Sequence, residues 1–323
     1  MKNILTYIEI KDGAPIKLSL ESLSKASEIA KEKGGKSIAL IAFELADGEL
    51  AKLKAAGAEE IVLVKREAYN MEDFANIIVE VSKKYDCEDI FIPGTLDGKD
   101  LAPYAAASLD TVSITNVMDI KFEGEDVIYV TPSYGATVLT ESKIEKAPRI
   151  AVVRAGSFDK RDDLNGAGNL VEENIDEVKD LKAIIKDIVT SNEGLINLED
   201  APIIVTCGRG ASSDEIFPLV KELADAFGAP ISGTRPVIDD GVLPKASQIG
   251  QSGKIVAPAL YIGCGVSGAV QHVSGIENSN FIVAINKDED APIFNIADIG
   301  IVGDCKQVLP LLIEEVKKIK ANA

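Results

Sequence analysis

The chain has 323 residues, 46% hydrophobic and 27% charged, with 34 Lys and Arg against 52 Asp and Glu, a formal net charge of -18. That is a globular mixture long enough for two domains, each with its own core. Its acidity makes phosphate backbones and anionic headgroups poor partners, so neither nucleic acid nor a membrane surface is expected.

There is one histidine, His272, and four scattered cysteines, Cys87, Cys207, Cys264 and Cys305, never in C-x-x-C spacing. This argues against a metal site, an iron–sulfur segment and a disulfide framework, and it leaves a hydrolytic triad a single candidate base. No apolar run reaches the roughly 18–20 residues of a membrane helix. The first residues enter a strand-like run without a charged leader or an Arg-rich transit segment, so a cytoplasmic location in a bacterial or archaeal cell is expected.

In chain order, residues 4–10 read as a strand, and 19–33 as a helix with Leu20, Leu23, Ala26 and Ala30 at helical spacing, stopped by Gly34-Gly35. Strand 37–43, helix 48–56, strand 61–65, helix 71–85, strand 89–93 and helix 98–109 follow. Such alternation with short connections implies a parallel sheet covered by helices. Runs 111–122 and 127–134 flank Glu123-Gly124-Glu125-Asp126 and read as an antiparallel hairpin, and 148–154 as one more strand. Residues 159–174 are polar, 177–190 fit helix and strand templates equally, and Asn192-Glu193-Gly194 reads as a turn. The expected domains are therefore 1–197 and 198–323. The second restarts the alternation with strand 203–207, helix 213–227, strand 259–262, a short helix near Ala269, strands 281–285 and 300–302, and a last helix through Ile319. The fold class is α/β in both halves: a parallel-sheet domain with an antiparallel hairpin, then a Rossmann-like doubly wound domain.

Chemistry concentrates where strands of the second half end, the edge at which open α/β sheets bind ligands. Gly208-Arg209-Gly210 reads either as a tight turn, with Ser212 and Glu215 forming a capping box, or as a turn whose amides and arginine meet an anion. Gly263-Cys264-Gly265-Val266-Ser267-Gly268 is a G-x-G-x-x-G between a strand and a helix, with Asp288 20 residues on. That is the pattern of a dinucleotide loop, with an NAD(P)-dependent dehydrogenase as one reading. Gly265-Val266-Ser267-Gly268-Ala269 lacks the last glycine of a nucleophile elbow, and His272 follows on the same helix, so a hydrolase is not expected. About 20 residues from Ser232 to Lys254, rich in Gly, Ser and Pro, read as one long functional loop carrying Arg235 and Ser252. Arg235 reads equally as a surface ion pair, and Asp304-x-x-Gln307 as a capping box for the last helix.

These segments, with Thr234-Arg235-Pro236, Gln248-Ile249-Gly250-Gln251-Ser252-Gly253-Lys254, Leu260-Tyr261-Ile262, Gly265 through His272, Ala284 through Asp288 and Gly300 through Asp304, stand in one order. In that order they resemble the α subunit of electron transfer flavoproteins, the family that includes the FixB proteins. The first half resembles it only in length and pattern. The resemblance implies FAD in the second domain and a β subunit contacting the first. It redirects the dinucleotide loop to FAD, so that Asp288 need not hold a ribose. By position, Arg209 and Ser267, Gly268, Ala269, Val270 and Gln271 would hold the diphosphate. Asn286 and Asp304 would hold the adenosine end, and Cys305 would be a further cofactor-binding residue. Thr234, Arg235, Ile249, Gly250, Gln251, Ser252 and His272 would surround the flavin ring. Arg235 would supply a permanent charge there, the Ser252 hydroxyl would reach N5, and His272 would donate to the C2 oxygen.

The implied role is electron carriage, with no catalytic residue in the bond-making sense. Electrons would come from an acyl-CoA dehydrogenase or similar flavin dehydrogenase, as in fatty acid β-oxidation, and leave to a quinone reductase or ferredoxin. An electron-bifurcating pair using NADH and ferredoxin is the variant within the family.

Overall fold

The structure, a computed structural model, describes residues 3–123, 126–134, 136–183 and 198–321. The chain divides into two compact units, Met1–Val189 and Thr190–Ala323. The expected boundary and the turn at Asn192-Glu193-Gly194 lie outside the described residues, as do Gly124 and Glu125 of the expected hairpin turn.

The first unit runs β1 (Asn3–Tyr7), β2 (Ile10–Lys11), β3 (Ala14–Pro15), α1 (Lys17–Lys33), β4 (Ser37–Ile41), α2 (Glu49–Ala55), β5 (Glu60–Leu63), α3 (Met71–Lys84), β6 (Cys87–Pro93) and α4 (Leu96–Ser108). It continues with β7 (Ser113–Val117), β8 (Asp119–Glu123), β9 (Asp126–Ser133), β10 (Val138–Lys143), β11 (Arg149–Val153) and β12 (Asn169–Glu172). A seven-stranded parallel sheet has the order β12-β5-β4-β1-β6-β11-β7. Side chains alternate across it: Leu5 and Tyr7 pack with Phe74, Ile78 and Leu101 from α3 and α4, while Ile4 packs with Ala26 and Ile29 from α1.

Two sequence expectations change here. The expected hairpin is a three-stranded antiparallel sheet, β10-β9-β8. The run 111–122 splits because Asn116 takes a left-handed φ of 63°, and the chain leaves the parallel sheet at Val117 before pairing with β9. Asparagine tolerates that conformation better than most residues. Strand β12, hidden in the polar stretch, is an edge strand: it pairs only with β5 and three of its four residues are exposed, so it carries no apolar alternation to read. The two sheets are tied together by a buried group. Arg149 donates from Nε and Nη2 to the two carboxylate oxygens of Asp89, at 2.7 and 2.8 Å, and the Tyr129 hydroxyl donates to Asp89 at 2.9 Å.

The second unit contains β13 (Ile203–Cys207), α5 (Phe217–Phe227), β14 (Ile231–Gly233), α6 (Arg235–Asp239), β15 (Leu260–Cys264), α7 (Val270–Val273), β16 (Ile282–Asn286), β17 (Ile299–Val302) and α8 (Cys305–Ala321). Its five strands are parallel in the order β14-β13-β15-β16-β17. Val205, Cys207, Ile262 and Ile285 face α5 and α8, whereas Ile204, Tyr261 and Ala284 face Ile249, Val256, Ile276 and Ile293. The capping box at Ser212 does not form: the Ser212 hydroxyl donates back to the Arg209 carbonyl at 3.0 Å, and α5 begins at Phe217 with Pro218 in its first turn. Proline is accommodated there because first-turn amides lack helical partners in any case. The expected long loop contains β14 and α6, so its irregular part is shorter than its composition suggests.

Candidate functional site

The chain goes from β13 to β14 on one side and then returns to β15 on the other, so the strand order reverses between β13 and β15. Loops leaving the carboxyl ends of such neighbours diverge and open a crevice. Here the crevice is a cavity of about 830 Å³, inside the usual range for small-molecule sites. Its wall comes from four segments: Arg209 and Gly210 after β13; Thr234, Arg235 and Pro236 at the start of α6; Gln248, Ile249, Gly250, Gln251 and Ser252; and Gly265, Val266, Ser267, Gly268, Ala269, Gln271 and His272 after β15. Asn286, Lys287 and Asp288 complete it.

Glycines lock these turns to one another. The Gly208 amide donates to the Cys264 carbonyl at 2.8 Å and the Gly210 amide to the Gly265 carbonyl at 3.1 Å. Gly265 has a φ of 64°, and a Cβ there would stand 2.6 Å from the Ala211 nitrogen. Gly268, at φ 86°, has the Ile293 amide nitrogen 2.2 Å from its would-be Cβ. Both positions exclude any side chain. The glycines therefore serve contact between backbones, and Arg209 and the 267–271 amides are left for a ligand. Among the described residues, the amides of Ser267, Gly268, Ala269, Val270 and Gln271 donate to no backbone carbonyl, and α7 starts in this run.

The other side chains are held as follows. Arg235 is exposed and reaches Asp239 at 3.3 Å, one turn along α6. Its surface pair and its place in the cavity wall coexist. Gln248 is buried; its Oε1 accepts from Lys245 Nζ at 2.5 Å, and its Nε2 donates to the Ser252 hydroxyl at 2.9 Å. Since that bond uses the hydroxyl as acceptor, the Ser252 proton can point elsewhere. The Gln251 amide donates to the Gln271 carbonyl at 2.7 Å, which docks the 249–254 turn on α7. Asn286 donates to the Val266 carbonyl at 2.8 Å and accepts from the Asp288 amide at 3.0 Å, so its side chain braces the loop.

His272 is buried, and both its nitrogens have partners inside the protein. Nδ1 lies 3.1 Å from the Ile249 carbonyl oxygen and Nε2 2.7 Å from the Tyr261 hydroxyl. Burial lowers its pKa to about 4, against a smaller raising effect of the Ile249 carbonyl, so the ring is neutral at pH 7. Since a carbonyl oxygen only accepts, the ring's one proton lies on Nδ1, toward Ile249.

Val270, Asp304 and Cys305 do not line the cavity. The Val270 side chain is 48% exposed. Asp304 caps α8, accepting from the Lys306 amide at 2.9 Å. The Cys305 thiol is buried and points at the Ile285 carbonyl. Sequence reasoning gave no role to Gln248 and Tyr261, although both lay in quoted motifs. The signal for Tyr261 was a large phenol two residues before a strand glycine. For Gln248 no signal preceded the contacts.

Fold and site together define a nucleotide-cofactor protein of the doubly wound α/β class. A profile described as Electron transfer flavoprotein domain matches residues 4–179, and one described as Electron transfer flavoprotein FAD-binding domain matches residues 197–277. Protein FixB of Clostridium saccharobutylicum is 36% identical over 98% of this chain and 97% of its own length. The electron transfer flavoprotein subunit alpha of Thermoanaerobacterium thermosaccharolyticum is 36% identical over 99% of each chain, and that of Bacillus subtilis 34% identical over 100% and 99%. The chain belongs to the electron transfer flavoprotein alpha subunit family, and its cofactor is FAD. The reading of residues 263–268 as the loop of an NAD(P)-dependent dehydrogenase gives way to this. The residues present fit the cofactor: the Arg209 guanidinium and a run of amides suit a diphosphate, and the Ser252 hydroxyl and the Arg235 guanidinium suit a flavin ring. Among the described residues no helix is long and apolar enough to cross a membrane, and no cluster of three His, Cys, Asp or Glu stands where it could hold a metal ion.

Proposed function

We propose that this chain is the FAD-carrying half of a heterodimeric electron carrier, completed by an electron transfer flavoprotein β subunit, that takes electrons from acyl-CoA-type dehydrogenases. The observation that carries this is the convergence of Arg209, Arg235, Ser252 and the 265–272 turn on one cavity at the reversal of strand order. A relative in Anaerotignum propionicum, 30% identical over 99% of this chain, is named acryloyl-CoA reductase electron transfer subunit beta, which supports an acyl-CoA partner. The first unit is the one we assign to the β-subunit contact, with the domain division at 197/198.

FAD, when bound, supplies reversible two-electron storage on its ring. The chain's work is to bind, orient and polarise. Arg209 and the amides of Ser267 through Gln271 hold the diphosphate, Val270 contributing only its backbone. Asn286 braces the loop beside the adenosine end, with Asp304 and Cys305 at its margin. Thr234, Arg235, Ile249, Gly250, Gln251 and Ser252 face the ring. The Arg235 guanidinium favours negative charge there. Because the Ser252 hydroxyl accepts from Gln248, its own proton would be available to an acceptor on the ring edge. Electron passage needs no bond to be made by the protein, only a docked partner.

Co-expression with the β subunit should give a yellow complex whose visible band bleaches on adding an acyl-CoA dehydrogenase and its substrate. A colourless complex, or a yellow one that the dehydrogenase and its substrate do not bleach, would overturn the reading. One FAD with one AMP per heterodimer marks a simple carrier; two FAD mark a bifurcating pair, with electrons leaving to ferredoxin instead of a quinone reductase.

A further inference from the structure

A line of buried polar groups crosses the second sheet beneath the cavity. Ser232 and Thr206 stand opposite each other on β14 and β13, their hydroxyls 2.7 Å apart. The Thr206 side chain on β13 lies within reach of the Tyr261 phenol on the neighbouring β15. Tyr261 reaches His272 Nε2, and His272 Nδ1 reaches the Ile249 carbonyl. Ser232, Thr206 and Tyr261 are 0% exposed, Ile249 1% and His272 7%. Gly263, opposite Thr206, makes room: a Cβ there would stand 3.1 Å from the Tyr261 ring.

Elementary hydrogen-bond chemistry gives this line a direction. A carbonyl oxygen only accepts, so Nδ1 of His272 must carry the proton. A neutral imidazole then has Nε2 as an acceptor, so the Tyr261 hydroxyl must donate to it. Having spent its proton, the phenol oxygen can accept from Thr206. Both bonds of His272 therefore have one available sense.

We propose that Tyr261 is a positioning residue, which with Thr206 and Ser232 behind it locks His272 as the Nδ1–H tautomer and thereby pins the Ile249 carbonyl and the turn that follows it into the cavity wall. The turn carries Gly250, Gln251 and Ser252, so the lock sets where the Ser252 hydroxyl stands. Its consequence at the flavin ring rests on the reading of the cavity given above; the lock itself does not.

The single histidine makes the test clean, since one imidazole gives one set of ring ¹⁵N resonances. In full-length ¹⁵N-labelled protein, with and without FAD, His272 should show a protonated Nδ1 and an unprotonated Nε2. Y261F should lose that signature and populate both tautomers, and in the FAD complex with the β subunit it should shift the flavin absorption band and midpoint potential. A wild-type Nε2–H tautomer, or a folded Y261F that keeps the pure Nδ1–H form, would overturn the proposal. Should Y261F not fold, the wild-type spectrum and T206V, expected to admit some Nε2–H form, decide the matter. An intact Nδ1–H signature in a chain that takes up no FAD would support the lock and count against the cofactor reading.

Discussion

Arg235 and His272 share a cavity wall but contribute opposite things. Arg235 is solvent-exposed, pairs weakly with Asp239 along α6 and offers a guanidinium to the cavity. Arg235→Ala should therefore leave FAD bound and lower its midpoint potential by the equivalent of about 1–2 kcal/mol, a charge effect reduced by solvent. Spectroelectrochemistry of the purified complex measures it, and an unchanged potential would remove Arg235 from the ring environment. His272 is buried and neutral, its pKa depressed from 6.5 to about 4. The unfolded chain then binds the proton first, so its contribution to stability is complete above pH 6.5 and is lost as pH falls toward 4. Urea denaturation between pH 7 and 4 should show wild type losing up to about 3 kcal/mol more than His272→Gln, which has no titrating ring. Parallel curves for the two would contradict the buried neutral assignment.

At the scale of elements, the site is a set of turns held against each other by backbone contacts. Gly268→Ala asks for a side chain at φ 86° with the Ile293 nitrogen 2.2 Å from its Cβ. It should cost about 2–4 kcal/mol and reduce the flavin content of the purified protein; full flavin occupancy at wild-type stability would show the turn to be more pliant than described. In the first unit, the Asp89, Arg149 and Tyr129 group joins the antiparallel sheet to the parallel one. Arg149→Ala leaves Asp89 buried beside Tyr129 without its cation, an expected loss of about 3–5 kcal/mol in urea denaturation.

Most central strands of both sheets were legible because their β-branched runs are bounded by Gly, Asp and Asn. β12 was not, because an exposed edge strand needs no apolar face. Nor was the split between β7 and β8, which depends on one asparagine in a left-handed turn. Of the residues expected around the cofactor, Arg209, Arg235, Ser252, Gln271 and Asn286 line one cavity, whereas the Asp304 carboxylate turns back to its own helix.

At the scale of the whole molecule, the chain forms two compact units and the FAD-binding profile falls in the second, so the cofactor should stabilise that one. FAD at about 100 times its dissociation constant should stabilise the second unit by about 2.7 kcal/mol. Calorimetry of the flavin-free chain titrated with FAD should show a transition rising with concentration, and no rise would place the binding site elsewhere. The α/β class of both halves, the strand ends rich in glycine and the family resemblance were all determined by sequence alone, since periodicity and turn chemistry are local properties written residue by residue. What tertiary structure decided is the direction of individual side chains. The one histidine, prominent in the composition, stood in the motif that lines the cavity. Only the packing of β15 against α7 and the 249–254 turn shows that its proton belongs to a carbonyl and its lone pair to Tyr261, because hydrogen-bond partners 11 and 23 residues away are assembled by the fold.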